Sequence, residues 1–195
     1  MKLILASGSR YRQMMLQRLG LPFEVQPANI DERPHTGETP DALAQRLAHA
    51  KAAHVAEKHP DALVIGSDQV AALGDLILGK PGHHAAAMAQ LRQMSGQTVY
   101  FHTALCVHHQ HTCQERLVQI KCQFRSLEDT EIDYYLTTEQ PYDTAGSAKA
   151  ESLGITLLES MHSDDPTAII GLPLIALTDL LRHFGVNPLR PTPFA

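Results

Sequence analysis

Two short segments carry the side chains best suited to chemistry on a charged substrate. The apolar run Leu3-Ile4-Leu5 leads into Ser7-Gly8-Ser9, and Arg12 follows one helical turn later. At such a strand-to-helix junction, hydroxyl groups and free backbone N–H groups face one anion, to which an arginine adds a bidentate fork. The run Leu63-Val64-Ile65 leads into Gly66-Ser67-Asp68-Gln69, which places a carboxylate at the expected end of a central strand. Because a carboxylate there is costly to desolvate unless it pairs, binds a metal or acts as a base, the two segments predict hydrolysis of a phosphorylated small molecule.

The first segment has a purely structural interpretation as well, and so does Lys80, a further cation later in the chain. Ser9 could be an ordinary N-cap residue and Arg12 a solvated arginine. Lys80 stands between a glycine that allows close backbone approach and a proline that stiffens the turn, although it could equally be a solvated turn lysine. The spacing up to Lys80 matches a phosphate-binding P-loop, but Pro81 replaces the Ser or Thr that would hold magnesium, so we reject that motif.

The elements around these residues alternate between strand and helix patterns. Strands are predicted over 2–6, 23–26, 63–65, 70–73, 76–78, 98–108, 115–124 and 155–158, and helices over 9–19, 39–59, 83–94, 126–137 and 172–184. In the helix over 39–59, Arg46 and Lys51 are predicted to flank a buried apolar stripe. The tail at 188–195 is rich in proline and is expected to be irregular. Strands separated by helices, together with long hairpins, predict an α/β fold with a mixed sheet.

Composition limits the function classes. The 195 residues, 44% of them hydrophobic, are enough for one domain over 1–195. A net charge of -5 and a pI near 6.1 argue against binding of a nucleic-acid polymer, which normally needs a basic face. The absence of a signal-peptide pattern and of a membrane-length apolar run predicts a cytoplasmic protein that does not bind a membrane.

Cysteine and histidine usage offers little evidence for a disulfide or a metal. Cys106, Cys113 and Cys122 are odd in number and irregular in spacing, so no disulfide framework is expected. The stretch from His108 to Cys113 holds several potential metal ligands. One hairpin loop would supply all of them, whereas structural zinc sites usually draw ligands from two separated knuckles, so a solvated loop is the prediction.

The ordered set of motifs resembles the Maf-like nucleoside triphosphate pyrophosphatases. The resemblance covers nearly the whole chain, and it rests on these motifs in order: Ser7-Gly8-Ser9 with Arg12, Asp31-Glu32, Arg46 with Ala50-Lys51, Gly66-Ser67-Asp68-Gln69, Gly79-Lys80-Pro81, Ala145-Gly146-Ser147 followed by Glu151, and Gly171-Leu172-Pro173-Leu174. It implies an elongated mixed sheet flanked by helices, with two lobes around a cleft. It also implies release of pyrophosphate from a nucleoside triphosphate, and a homodimer.

The resemblance gives roles to individual residues. Asp68 would accept the proton of the attacking water, and Glu32 would help it hold a divalent cation, Mg²⁺ or Mn²⁺. The remaining substrate-binding residues implied are Ser7, Arg12, Arg46, Lys51 and Lys80.

Within the family, Ser-Asp-Gln at the catalytic strand resembles the subgroup that hydrolyses 7-methyl-GTP to 7-methyl-GMP and diphosphate, a house-cleaning role for modified nucleotides. N7 methylation makes guanine cationic, which suits an aromatic Tyr11 and a carboxylate at Glu151, while the amide of Gln69 could read a base edge. The chain departs from the family at Arg10, where proline is usual, and at Tyr11, where the subgroup commonly has tryptophan.

Two alternatives stay open at this point. One is a pyrophosphatase of the same fold acting on dTTP or UTP. The other is a nucleotide-binding regulator of septum formation that needs no catalysis. Asp68 argues against a pure binder, because an acidic group beside a triphosphate weakens binding unless a metal or the chemistry uses it.

Overall fold

A computed structural model describes residues 1–190, so the end of the proline-rich tail, 191–195, lies outside the described residues. Over residues 1–190 the chain forms a seven-stranded sheet in the order β2-β1-β3-β5-β6-β7, with β4 paired to β3. The first strand is parallel to β2 and β3, and every other pairing is antiparallel. The strands are β1 (Leu3–Leu5), β2 (Glu24–Val25), β3 (Leu63–Leu73), β4 (Leu76–Leu78), β5 (Thr98–His109), β6 (Thr112–Phe124) and β7 (Leu158–His162).

Five α-helices flank this sheet within residues 1–190: α1 (Arg10–Gln17), α2 (Pro40–Ala56), α3 (His84–Met94), α4 (Asp129–Glu139) and α5 (Leu174–His183). The predicted α/β class with a mixed sheet is therefore confirmed. No helix in the described part of the chain is long and apolar enough to cross a membrane.

Two sets of buried side chains form the larger cores at opposite ends of the sheet. One surrounds Phe101 and Phe124 and is closed by α3 and α4. The other surrounds Leu5 and Ile65 and is closed by α1 and α5. This division produces the two lobes on either side of the candidate site.

Helix α2 lies directly on β3 because the strand has no side chain at Gly66. A Cβ built there would lie 2.1 Å from the carbonyl oxygen of Ala48 and 2.7 Å from the backbone nitrogen of Ala52. The close approach fixes the height of α2 above the sheet, and so the depth at which its side chains enter the site.

The structure corrects several predicted boundaries. The strands predicted over 63–65 and 70–73 are one continuous strand, β3, so Asp68 lies in mid-strand and not at a strand end. Strands β5 and β6 extend to a two-residue turn at 110–111, because their pairing continues through His109 and Thr112. The strand predicted over 155–158 is wrong: residues 153–157 form a 3₁₀ turn, and the strand begins at Leu158. The capping box of α4 is made by Glu128 and Glu131, two residues later than the predicted start.

Candidate active site

Asp68 lies where β3 loses its neighbour on one side. Strand β1 is paired to β3 only as far as Leu5 opposite Ile65, and the chain then turns away toward α1. Opposite this gap, β3 stays paired with β5, where Asp68 faces Ala104. A carboxylate in the middle of a buried strand thus opens onto a cleft, because the parallel neighbour ends three residues earlier in register.

Lys51 of α2 joins Asp68 to a second carboxylate. Its Nζ lies 2.7 Å from Oδ1 of Asp68 and 2.7 Å from Oε1 of Glu32. The side chain of Lys51 is 7% exposed and that of Asp68 is 10% exposed, whereas Glu32 is 49% exposed. Lys51 was predicted to flank the buried stripe of α2, but it is buried, because the two carboxylates compensate its charge.

The electrostatics of Glu32 reflect this arrangement. Desolvation opposes ionisation, but the hydrogen bond and charge of Lys51, with the charges of Lys80 and Arg12, hold the pKa of Glu32 below its usual value. Glu32 therefore carries its negative charge at the mouth of the site at neutral pH.

Arg12 links the first helix to the far wall of the cleft. Its Nε donates to the carbonyl oxygen of Gly171 at 2.8 Å, and its Nη1 donates to Oγ of Ser7 at 3.2 Å. Desolvation lowers the pKa of Arg12, while the charges of Asp68 and Glu32 act in the opposite direction. Ser9 caps the helix by accepting from the backbone N–H of Arg12, so the structural interpretation of Ser9 holds, but Arg12 is not a solvated arginine.

These groups line one cleft of about 740 Å³. It brings together nine of the ten residues predicted for the site: Ser7, Tyr11, Arg12, Glu32, Lys51, Asp68, Gln69, Lys80 and Glu151. Four cationic side chains line the cleft, Arg10, Arg12, Lys51 and Lys80, and four acidic ones, Glu32, Asp68, Asp143 and Glu151, so its formal charges balance although the chain has a net charge of -5.

Arg46 is the predicted site residue that the cleft does not include. Its Nε and Nη2 donate to the carboxylate of Glu38 at 2.6 and 2.8 Å, and Nη2 also donates to the carbonyl oxygen of Arg33 at 3.1 Å. Arg46 lies within α2 and binds the loop that precedes the helix.

The three residues predicted to select the base, Tyr11, Gln69 and Glu151, differ in how far other residues of the protein already use their polar groups or ring faces. The guanidinium of Arg10 lies 4.8 Å from the ring centroid of Tyr11 and donates to its hydroxyl at 2.8 Å. Partial desolvation raises the pKa of Glu151 above its usual value. The amide nitrogen of Gln69 lies 2.9 Å from Oγ1 of Thr103 and 2.8 Å from the carbonyl oxygen of Ala168, which leaves the amide oxygen as its group for a ligand.

Sequence reasoning missed the part played by the backbone of Gly171. Its carbonyl oxygen accepts from Arg12 and also from Oγ of Ser67 at 3.0 Å, and its φ of 100° lies in the region that glycine favours. The signal for such a turn was the Gly171-Leu172-Pro173 sequence. Asp143 also lines the cleft, and nothing in the sequence around it pointed there.

The paired carboxylates of Glu32 and Asp68 fit a hard divalent cation. Both direct an oxygen at one ammonium nitrogen, so a positive charge is already accommodated between them. Carboxylate oxygens are the ligands that Mg²⁺ and Mn²⁺ prefer.

Comparison with known proteins identifies the family to which this cleft belongs. The family model described as Maf-like protein matches residues 2–184. The chain belongs to the Maf-like family. A relative from Bordetella avium named 7-methyl-GTP pyrophosphatase is 60% identical over 189 residues, which cover 97% of this chain and 96% of that protein. A relative of the same name from Cupriavidus metallidurans is 56% identical, covering 94% of this chain and 93% of its own length.

The Maf-like fold is also similar to a solved structure of a HAM1 protein from Coxiella burnetii. The TM-score is 0.53 at 16% sequence identity, and the match covers 94% of this chain and 99% of that one. At this identity the likeness supports the fold alone.

Proposed function

We propose that this Maf-like protein hydrolyses 7-methyl-GTP to 7-methyl-GMP and diphosphate. The observation that carries the proposal is the pairing of buried Asp68 with Lys51 in a cleft lined by further cations. It occurs in a chain that is 60% identical, over 97% of its length, to a protein named 7-methyl-GTP pyrophosphatase.

Attack of water on the α-phosphorus requires a base and nearby positive charge, and the site supplies both. Lys51 donates a hydrogen bond to Oδ1 of Asp68. We assign the other carboxylate oxygen of Asp68 to accept the proton of the attacking water. Lys51 also positions this carboxylate, because a buried ion pair holds one geometry.

Positive charge on the other side stabilises the leaving diphosphate. We assign this role to Arg12 and Lys80, together with the hydroxyl of Ser7 and the N-terminus of α1. Arg12 is already oriented by Ser7 and Gly171, so it loses little freedom when it binds phosphate.

Glu32 and Asp68 would hold a divalent cation, Mg²⁺ or Mn²⁺. Such an ion, when bound, polarises phosphate oxygens and neutralises their charge. Lys51 contacts the same two carboxylates, so its ammonium and such an ion would share these ligands.

Recognition of the base rests on Tyr11 and Glu151. The guanidinium of Arg10 lies over the ring of Tyr11, which supports the proposal that a positively charged ring can stack there. We propose that the cationic 7-methylguanine ring stacks on Tyr11 and that Glu151 pairs with its positive charge. This stacking requires the guanidinium of Arg10 to leave the face of Tyr11.

The experiment is a measurement of pyrophosphate release from 7-methyl-GTP, GTP, UTP and dTTP, with Mg²⁺ or Mn²⁺, by the wild-type protein, Glu151→Gln and a control, Glu159→Gln. The proposal predicts preference for 7-methyl-GTP that falls in Glu151→Gln and persists in the control. Preference for UTP or dTTP would favour the pyrimidine alternative and overturn the assignment of the substrate. Absence of turnover on all four would favour a binding protein.

A further inference from the structure

Four potential metal ligands outside the cleft converge near the turn of the β5–β6 hairpin. The ligand atoms of His49, Cys106, Cys113 and Glu115 all lie within 4.8 Å of one another. None of these residues lines the candidate active site. The cluster is therefore a feature that the proposed function leaves unexplained.

The fold brings these side chains together from three elements. Cys106 on β5 lies opposite Glu115 on β6, and His108 lies opposite Cys113, so two adjacent cross-strand pairs share one face of the sheet. Helix α2 packs on that face and adds the imidazole of His49. A single hairpin loop therefore does not supply the whole set, which was the ground for predicting a solvated loop in this region.

The two contacts of Cys113 have the spacing of donors that surround one ion, whereas His49 and Glu115 lie closer together and form an ion pair. Sγ of Cys113 lies 3.7 Å from Nδ1 of His49 and 3.6 Å from Oε1 of Glu115, and the last two atoms are 2.6 Å apart. Donors bound tetrahedrally to Zn²⁺ at its usual bond lengths lie about 3 to 4 Å from one another. The sulfur atoms of Cys106 and Cys113 form a disulfide in the structure, so the expectation that the cysteines form no disulfide is wrong for this pair.

Burial differs across the cluster in the way expected of a site that an ion can enter. Cys106 is fully buried, whereas the side chain of His49 is 52% exposed and that of Glu115 is 38% exposed. Beside them, the Nδ1 atom of His108 is buried and has no hydrogen-bond partner among residues 1–190. The disulfide uses only the two sulfur atoms, and the imidazole of His49 pairs with the carboxylate of Glu115 at 2.6 Å, so two separate pairs of potential ligands converge at one place.

We propose that, once a reductant has converted the Cys106–Cys113 disulfide to two thiols, His49, Cys106, Cys113 and Glu115 bind a zinc ion that fastens α2 to the β5–β6 hairpin. Two thiolates, an imidazole and a carboxylate form a closed set of four ligands, which suits Zn²⁺ in a structural site and not the hard ions expected at Glu32 and Asp68. The same helix carries Lys51 two residues after His49, so the ion would hold α2 in the place that the active site requires.

The test is the metal content of protein purified in the presence of a thiol-free reductant and supplied with Zn²⁺. We expect one zinc per chain in the wild-type protein. We expect its loss in Cys113→Ser, and retention in Cys122→Ser, which alters the buried cysteine that lies outside the cluster. Co²⁺ in place of zinc should give a thiolate-to-cobalt charge-transfer band in the wild-type protein that is absent from Cys113→Ser.

Two further variants keep the test decisive. His49→Ala removes an exposed ligand with little risk to folding and should weaken zinc affinity at least about tenfold. Asp68→Asn should keep both the zinc and the charge-transfer band, because any metal bound at the active site is a different ion. The proposal is overturned if the reduced wild-type protein takes up no zinc, or if Cys113→Ser binds as much as the wild type. It is also overturned if Cys106 and Cys113 are recovered only as a disulfide that binds no zinc after reduction.

Discussion

Lys51 is the residue that makes a carboxylate in the middle of a strand tolerable. It is almost completely buried, and it contacts Asp68 and Glu32 at 2.7 Å each. A buried ion pair contributes less to stability than its short distances suggest, because both charges lose their hydration. Removing one partner alone is expensive, because the other charge then stays buried and unpaired.

We therefore predict that Lys51→Met lowers the free energy of unfolding by about 3 kcal/mol. Adding Asp68→Asn to the same chain should restore part of this loss, since the uncompensated charge disappears. Denaturant unfolding of the two single variants and the double variant measures both effects, with Lys58→Met, an exposed lysine just beyond α2, as the control. Equal destabilisation by Lys51→Met and the control would show that the ion pair does not hold the site together.

Glu38 gives a second prediction, this one for the dependence of stability on pH. The hydrogen bond from Arg46, followed by the backbone hydrogen bond from His35, lowers the pKa of Glu38 from 4.5 to about 2. A carboxyl group whose folded pKa is depressed contributes stability above its unfolded pKa and loses it as the pH falls through the folded value.

The thermal midpoint of Glu38→Gln should accordingly lie below that of the wild type at neutral pH. The difference should shrink as the pH falls from 4.5 toward 2. Thermal unfolding across this range, with the exposed Glu57→Gln as the control, measures it. A difference that is constant with pH would mean that the charge of Glu38 is not the cause.

At the scale of elements, the contact between α2 and β3 controls the site. Gly66 leaves no room for a side chain, since a Cβ would come within 2.1 Å of a helix carbonyl oxygen. Helix α2 must therefore move before any larger residue fits at this position. Such a movement would carry Lys51 away from Asp68.

We predict that Gly66→Ala costs about 1 to 3 kcal/mol of stability, the usual range for overpacking a core. It should also reduce catalytic activity more than that loss of stability alone explains. Gly79→Ala is the control for stability, because a Cβ there meets no atom within 4 Å. The free energy of unfolding and the turnover, measured on the same preparations, separate the two effects. If Gly66→Ala has the stability of the wild type, the close approach of α2 to β3 is disproved.

The elements also show how far the sequence alone could lead. The helices that begin at Thr39-Pro40 and end before Gly96 were predicted within a few residues, because caps and glycines are local signals. The two ends of β3 were predicted as separate strands over 63–65 and 70–73, because Ser67, Asp68 and Gln69 interrupt the apolar run. Only pairing with β5 shows that one strand runs through these polar residues.

At the scale of the whole molecule, most of the cleft could be predicted because motifs far apart in sequence have fixed types and order. The exception, Arg46, had a suitable charge and position on α2, but a local carboxylate binds it. The role of the Gly171 carbonyl could not be predicted, since a backbone atom has no signature in sequence. The His49 cluster was missed for a related reason. Its members lie on three elements, and only the sheet register brings them together.

The cleft brings four cationic side chains together in a chain whose net charge is -5, which suits a small polyanion and not a long one. The central claim is that Asp68 is the base in that cleft. It is tested most directly by comparing Asp68→Asn with the wild type on 7-methyl-GTP, measuring pyrophosphate release and nucleotide affinity on the same preparations. Asp75→Asn, at the exposed turn between β3 and β4, is the control.

We predict that Asp68→Asn loses at least about a hundredfold in kcat, the usual contribution of a general base, and that it keeps or improves its affinity for the nucleotide. Asp75→Asn should match the wild type in both. Turnover retained in Asp68→Asn would contradict the assignment of the base. Nucleotide binding without turnover in the wild type and the variant alike would contradict catalysis itself.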